Sequence, residues 1–148
     1  MNAPESIESG YVLEALFFPL QQIVPVHSDE TGEQSEIAWG WDWRWNDADH
    51  FEVGLMLGIP PTASRPEKLE VAATAVFRVV GSTQTVQTTG FAHTHAPALL
   101  FPYVRQVVDE LTSRSPYGRV LLPPTNVMAL MANFEPTEAT GAKQRRPL

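Results

Sequence analysis

Cysteine is absent from the 148 residues, which excludes a disulfide-stapled secreted module, thiolate metal sites and thiol nucleophiles. Charge is sparse, at 18% of residues, and bases are scarcer than acids, 10 Lys and Arg against 17 Asp and Glu. There is no basic stripe of the kind that duplex or RNA binding needs, so no nucleic-acid partner is expected. No apolar run approaches the length of a bilayer span, and the longest is broken by Pro19. Residues Met1 to Glu8 are acidic where a secretory signal is basic and then apolar. A soluble, cytoplasmic protein without membrane insertion is the expectation.

Apolar residues, by contrast, make up 43% and aromatics 9%, enough for one folded domain with one core. The net charge of −7 is uneven. Residues 1–52 carry 11 acids and a single base, Arg44, whereas residues 53–134 are net +2. Such a bias serves solubility more often than it marks a partner. Residues 1–10 and 135–148, polar and without periodicity, are expected to be a disordered N-terminus and a flexible tail around a domain at 11–134.

Alternation with period two marks strands in the first half. Ile37, Trp39, Trp41, Trp43 and Trp45 share one face, and Phe51, Val53, Leu55, Leu57 and Ile59 share another. The polar break Asn46-Asp47-Ala48-Asp49 between them is hairpin-sized, which predicts antiparallel neighbours. A strand follows over about Lys68–Val80, and Tyr11–His27 reads as a strand that Pro19 and Pro25 confine to an edge or force to bulge. The period then changes. Leu100, Tyr103, Val104, Val107, Val108 and Leu111 form a helical stripe, and Val127 to Phe134 a shorter second helix. Strands first and helices last predict an α+β fold, a four-stranded antiparallel sheet with two helices packed on one side.

The search for chemistry is mostly negative: no phosphate loop, nucleophile elbow or His-Glu-x-x-His is present. No cofactor is implied. The pair His93 and His95, at i and i+2 on a segment read as extended, is the alternative to weigh. It belongs either to a small-ligand or metal-assisted site or to a polar connector ahead of Pro97. Nothing nearby supplies a carboxylate at ligand spacing, so no metal site and no enzyme are expected.

The unusual feature is a tryptophan ladder, with all four Trp at positions 39, 41, 43 and 45. Each buries about 150–250 Å², so the strand's face is either core or, in part, the wall of a groove. The last helix carries Met128, Leu130, Met131 and Phe134, and methionine adapts to many apolar partners.

Residues 99–134, LLFPYVRQVVDELTSRSPYGRVLLPPTNVMALMANF, resemble the SecB family of protein-export chaperones. The match lies in Phe101-Pro102-Tyr103-x-Arg105, Ser113-Arg114, Pro124-x-Asn126-x-x-Ala129-Leu130 and Asn133-Phe134. The resemblance implies an ATP-independent holdase for non-native polypeptides, assembled as a dimer of dimers. It also implies a client groove between the second strand and last helix, lined here by Trp39, Trp41, Trp43, Met128, Met131 and Phe134. Family members dock the translocase motor SecA through acids on the first and fourth strands. Here Leu20 and Val24 replace the first-strand acids, and Glu70 alone remains. Lys143-Gln144-Arg145-Arg146 replaces an acidic tail. Glu14, Asp29 and Glu30 are the acids available to compensate. A partner other than SecA, such as an antitoxin, is therefore the alternative.

Overall fold

The computed structural model describes residues 10–27, 36–81 and 85–135. The expected N-terminal segment (but for Gly10) and the tail beyond Glu135 lie outside them, as do Asp29 and Glu30. Four strands come first: β1 (Tyr11–Pro25), β2 (Ala38–Trp45), β3 (His50–Ile59) and β4 (Glu67–Val79). Helices α1 (Thr85–His93), α2 (His95–Thr112) and α3 (Val127–Met131) follow. The strands form one antiparallel sheet in the order β1-β4-β3-β2.

The β2–β3 hairpin turns where the polar break predicts. Asp47 Oδ1 accepts hydrogen bonds from the backbone N–H groups of Asp49 and His50, each at 2.8 Å, the local bonding that makes Asp a turn residue. β1 is indeed an edge strand. Its register slips between Leu13 and Ala15 and again between Phe17 and Leu20, beside Pro19. A proline there has no N–H to give the ladder, so the strand bulges around it.

One face of the sheet packs against the helices. Trp43, Phe51, Val53, Leu55, Val71 and Phe77 are almost wholly enclosed, and Leu100, Val104 and Val108 of α2 meet them. Burying each such aliphatic side chain contributes about 1.5–3 kcal/mol, so the α2 stripe anchors the helix layer. Helix α2 continues through Pro102, which stands on its exposed side.

Two expectations change. Among the described residues the helices number three, because Thr85–His93 forms α1, and the last is a single turn that ends at Met131 instead of running to Phe134. His93 and His95 consequently do not lie on an extended segment: they close α1 and open α2. No helix among the described residues is long and apolar enough to cross a membrane.

Candidate functional site

Among the described residues β2 has β3 on one side only, and its odd-numbered side chains turn toward the helices. The tryptophan ladder divides there. Trp43 is fully enclosed, edge-on to Phe51 at 6.0 Å between ring centroids. Trp41 is 4% exposed, and its indole Nε1 donates to the Ala92 carbonyl at 3.0 Å. Trp39 is half-buried and leans on Phe101 of α2 at 6.0 Å.

α3 roofs this strand. Phe134, just past its end, meets Trp41 at 6.1 Å, and Met131 is buried beneath it. His93 holds the roof down. Its Nε2 lies 2.9 Å from the Met131 carbonyl and 2.8 Å from the Phe134 carbonyl. Two carbonyl oxygens only accept, so Nε2 carries the proton and donates to both. The same ring stands edge-on to Trp41 at 5.4 Å. A shallow depression of about 360 Å³ opens beside this contact, lined by Ile37, Trp39, Leu130, Asn133 and Phe134.

Of the six residues expected to line a groove, Trp39 and Met128 present surface, Met128 at 62% exposure. Trp41, Trp43, Met131 and Phe134 are covered within this chain. A single open apolar face gives way to an aromatic strand under a one-turn lid, with an opening at one end.

The residues of the helical motif build this arrangement. Arg105 Nε donates to the Leu122 carbonyl at 2.8 Å, fastening the connection to α2. Asn126 caps α3, its Oδ1 accepting from the Ala129 N–H at 3.2 Å, which satisfies an otherwise orphan donor. Phe101 backs Trp39. Leu130 belongs to the helix side read from sequence, whereas nothing in the sequence marks Ile37, Asn133 and His93 as lining residues. Ile37 and Asn133 stand on the expected elements. For His93 no local signal exists, since its acceptors lie 38 and 41 residues away.

Glu70 faces the opposite side of the sheet. Lys68 Nζ sits 2.8 Å from its carboxylate, and Gln22 Nε2 donates to it at 3.2 Å. The hydrogen bond from Lys68 leads in holding its pKa below the ordinary glutamate value. The two histidines of the alternative reading diverge: His93 turns to α3, while His95 stacks on Phe91 at 5.8 Å and meets Thr94 Oγ1 at 3.0 Å. Among the described residues no group of three His, Cys, Asp or Glu is placed to hold a metal ion.

The structure is an α+β domain, an antiparallel sheet with helices on one face and an aromatic edge strand under a short lid. The family described as preprotein translocase subunit SecB matches residues 28–136, and the chain belongs to the SecB family. Over 85 residues it is 34% identical to the protein-export protein SecB of Alkalilimnicola ehrlichii, covering 55% of this chain and 44% of that protein. Over 93 residues it is 32% identical to that of Alcanivorax borkumensis, covering 59% and 57%. The chain thus matches about half the length of these relatives. Its fold is similar to that of the Mycobacterium tuberculosis Rv1957 SecB-like chaperone, solved with a ChAD peptide from the Rv1956 HigA1 antitoxin. The TM-score is 0.61 at 17% identity, over 78% of this chain and 91% of the other.

Proposed function

We propose that this protein is an ATP-independent holdase that binds non-native polypeptides in the groove between β2 and α3. The observation that carries the reading is the depression between Ile37 and Trp39 on one side and Leu130 and Phe134 on the other. Trp39 and Met128 meet a client first. Trp41, Met131 and Phe134 join when α3 shifts, and Trp43 stays behind them as the strand's support. A lid of one turn is easily displaced, because a helix so short draws its stability from packing and not from its own backbone bonds. Many weak apolar contacts along an extended chain then add up by effective concentration, without catalysis.

The test is light scattering of an unfolded protein diluted into buffer with increasing amounts of this chain and no nucleotide. Saturating suppression of aggregation is expected, weakened several-fold by Trp39→Ala combined with Met128→Ser. An absence of suppression at excess, or a double variant as active as the parent, overturns the groove reading.

Two cytoplasmic roles follow from it. In protein export the partner is SecA, with Glu70 as the docking acid. Its engagement by Lys68 and Gln22 makes that docking a competition with contacts already formed. The second role, custody of an antitoxin, is favoured by the antitoxin peptide bound to the structural relative and by the apolar Leu20 and Val24 on β1. In either role the chain assembles as a dimer of dimers, for which the exposed apolar residues Leu99 and Tyr103 of α2 and Leu13 and Phe17 of β1 supply surface.

A further inference from the structure

Rings from β1, α1 and α2 form a column where β1 begins. Phe91 stacks on Tyr11 at 4.1 Å between centroids, and His95 lies parallel to Phe91 at 5.8 Å. Beside the column opens a cleft of about 580 Å³, with Tyr11, Phe91, His95, Gly10, Gly90 and Thr94 among its walls. It shares no lining residue with the depression between β2 and α3. Gly90 stands inside α1, where glycine weakens a helix. Its φ is not positive, so the backbone does not require glycine, and a Cβ there would meet nothing within 4 Å. What the missing side chain leaves open is the cleft.

His95 gives the cleft an acceptor. Thr94 Oγ1 donates its one proton to the Gly90 carbonyl at 2.7 Å. In its 3.0 Å contact with His95 Nδ1 the hydroxyl therefore accepts and the imidazole donates. The neutral ring carries its proton on Nδ1 and a lone pair on Nε2, and among the described residues no donor meets that atom. We propose that the cleft binds a phenol, with its hydroxyl donating to His95 Nε2 and its ring against the column. The volume lies within the range of ligand pockets, roughly 300–1,000 Å³. Rings already stacked on one another turn their edges to the cleft, and a positive aromatic edge attracts the face of a further ring. Among the described residues no Asp, Glu, Lys or Arg lines the cleft, so neither a cation nor an anion finds a fixed counter-charge. A ring without a donor would take water from Nε2 and return nothing, which costs affinity.

Such a phenol comes either from a tyrosine of another polypeptide or from a free small molecule. The test follows the amide signals of Gly10, Gly90 and Thr94 and the Nε2 nitrogen signal of His95 in the full chain. The probes are p-cresol, 4-fluorotoluene, which keeps the shape and lacks the donor, and N-acetyl-tyrosinamide. Saturable shifts with p-cresol are expected, with 4-fluorotoluene about ten-fold weaker and the Nε2 signal moving only with the phenols. His95→Phe, which keeps a ring on the column and removes the acceptor, should lower p-cresol to the affinity of 4-fluorotoluene. Gly90→Leu, whose Cβ meets no neighbour, should abolish binding of both. Tighter binding of N-acetyl-tyrosinamide than of p-cresol supports the site with a polypeptide tyrosine as source, and the reverse order supports it with a small molecule. Equal affinity for p-cresol and 4-fluorotoluene overturns the proposal, as does p-cresol binding unchanged by His95→Phe or surviving Gly90→Leu. The groove between β2 and α3 stands or falls separately, on the Trp39 and Met128 substitutions.

Discussion

His93 and His50 are alike in sequence and opposite in situation. His93 donates one N–H to two carbonyls at the end of α3. Replacing it with alanine leaves both acceptors, in a half-buried place, without that donor. The expected cost is about 1–3 kcal/mol, read as a lower urea midpoint, with faster hydrogen exchange at Ala132 to Phe134. Unchanged exchange there would assign the lid's position to packing alone. His50 is the solvent-facing case. Its Nδ1 lies 2.9 Å from Asp47 Oδ1 and its Nε2 3.1 Å from Glu14 Oε2. The hydrogen bond to Asp47 leads in raising its pKa above the usual 6.5. A raised imidazole pKa stabilises the folded state fully below the unfolded value, and that contribution fades as pH rises through the folded value. Stability from this contact should therefore decline above about pH 6.5. The His50 ring proton signals should titrate above that value, and Asp47→Asn should bring the midpoint back down. A midpoint unmoved by that substitution would contradict the pairing.

At the scale of elements, the connection from β3 to β4 and the one from α2 to α3 are tied together by one arginine. Arg65 donates to Glu67, to Ser115 Oγ and to the carbonyls of Tyr117 and Gly118. Gly118 itself adopts φ 91°, a conformation that glycine enters without a steric penalty. Glu67 is 6% exposed, so Arg65→Ala leaves a buried carboxylate without its charged partner, held by the Ser115 hydroxyl alone among the contacts described for it. A loss of about 3 kcal/mol in chemical unfolding is expected, partly recovered by adding Glu67→Gln; a loss below about 1 kcal/mol, the range of exposed pairs, would refute the buried-pair account. The elements themselves differ in how plainly the sequence announces them. Alternation locates all four strands within a few residues, and the α2 stripe is unmistakable because Leu100, Val104 and Val108 must all face the sheet. Helix α1 is illegible: Thr-Val-Gln-Thr-Thr-Gly-Phe-Ala-His is rich in weak helix formers and shows no stripe. It is held by tertiary contacts, Phe91 stacking on Tyr11 at 4.1 Å and Ala92 accepting from Trp41. The two elements of the proposed groove, β2 and α3, are legible in the sequence, but the lid that one forms over the other is not. Whether a tryptophan is roofed depends on where a one-turn helix comes to rest, and no periodicity encodes that.

At the scale of the whole molecule, the sheet order β1-β4-β3-β2 puts the bulged β1 and the aromatic β2 at opposite edges. Two of the surfaces proposed above for other molecules are the exposed apolar residues of α2 and β1, for self-association, and the β2–α3 groove, for clients. Leu99→Glu with Tyr103→Glu should lower the sedimentation coefficient by halving the assembly while each chain keeps its far-ultraviolet dichroism. An assembly unchanged by both charges would place the contact elsewhere. The same edge arrangement makes the protein its own optical probe. All four tryptophans stand on one strand of eight residues, so intrinsic fluorescence reports from that edge alone. Trp41 and Trp43 supply an enclosed, blue-emitting population and Trp39 and Trp45 a half-exposed one. Lid displacement at β2 would move the spectrum, whereas events confined to β1, at the far edge, would leave it dark.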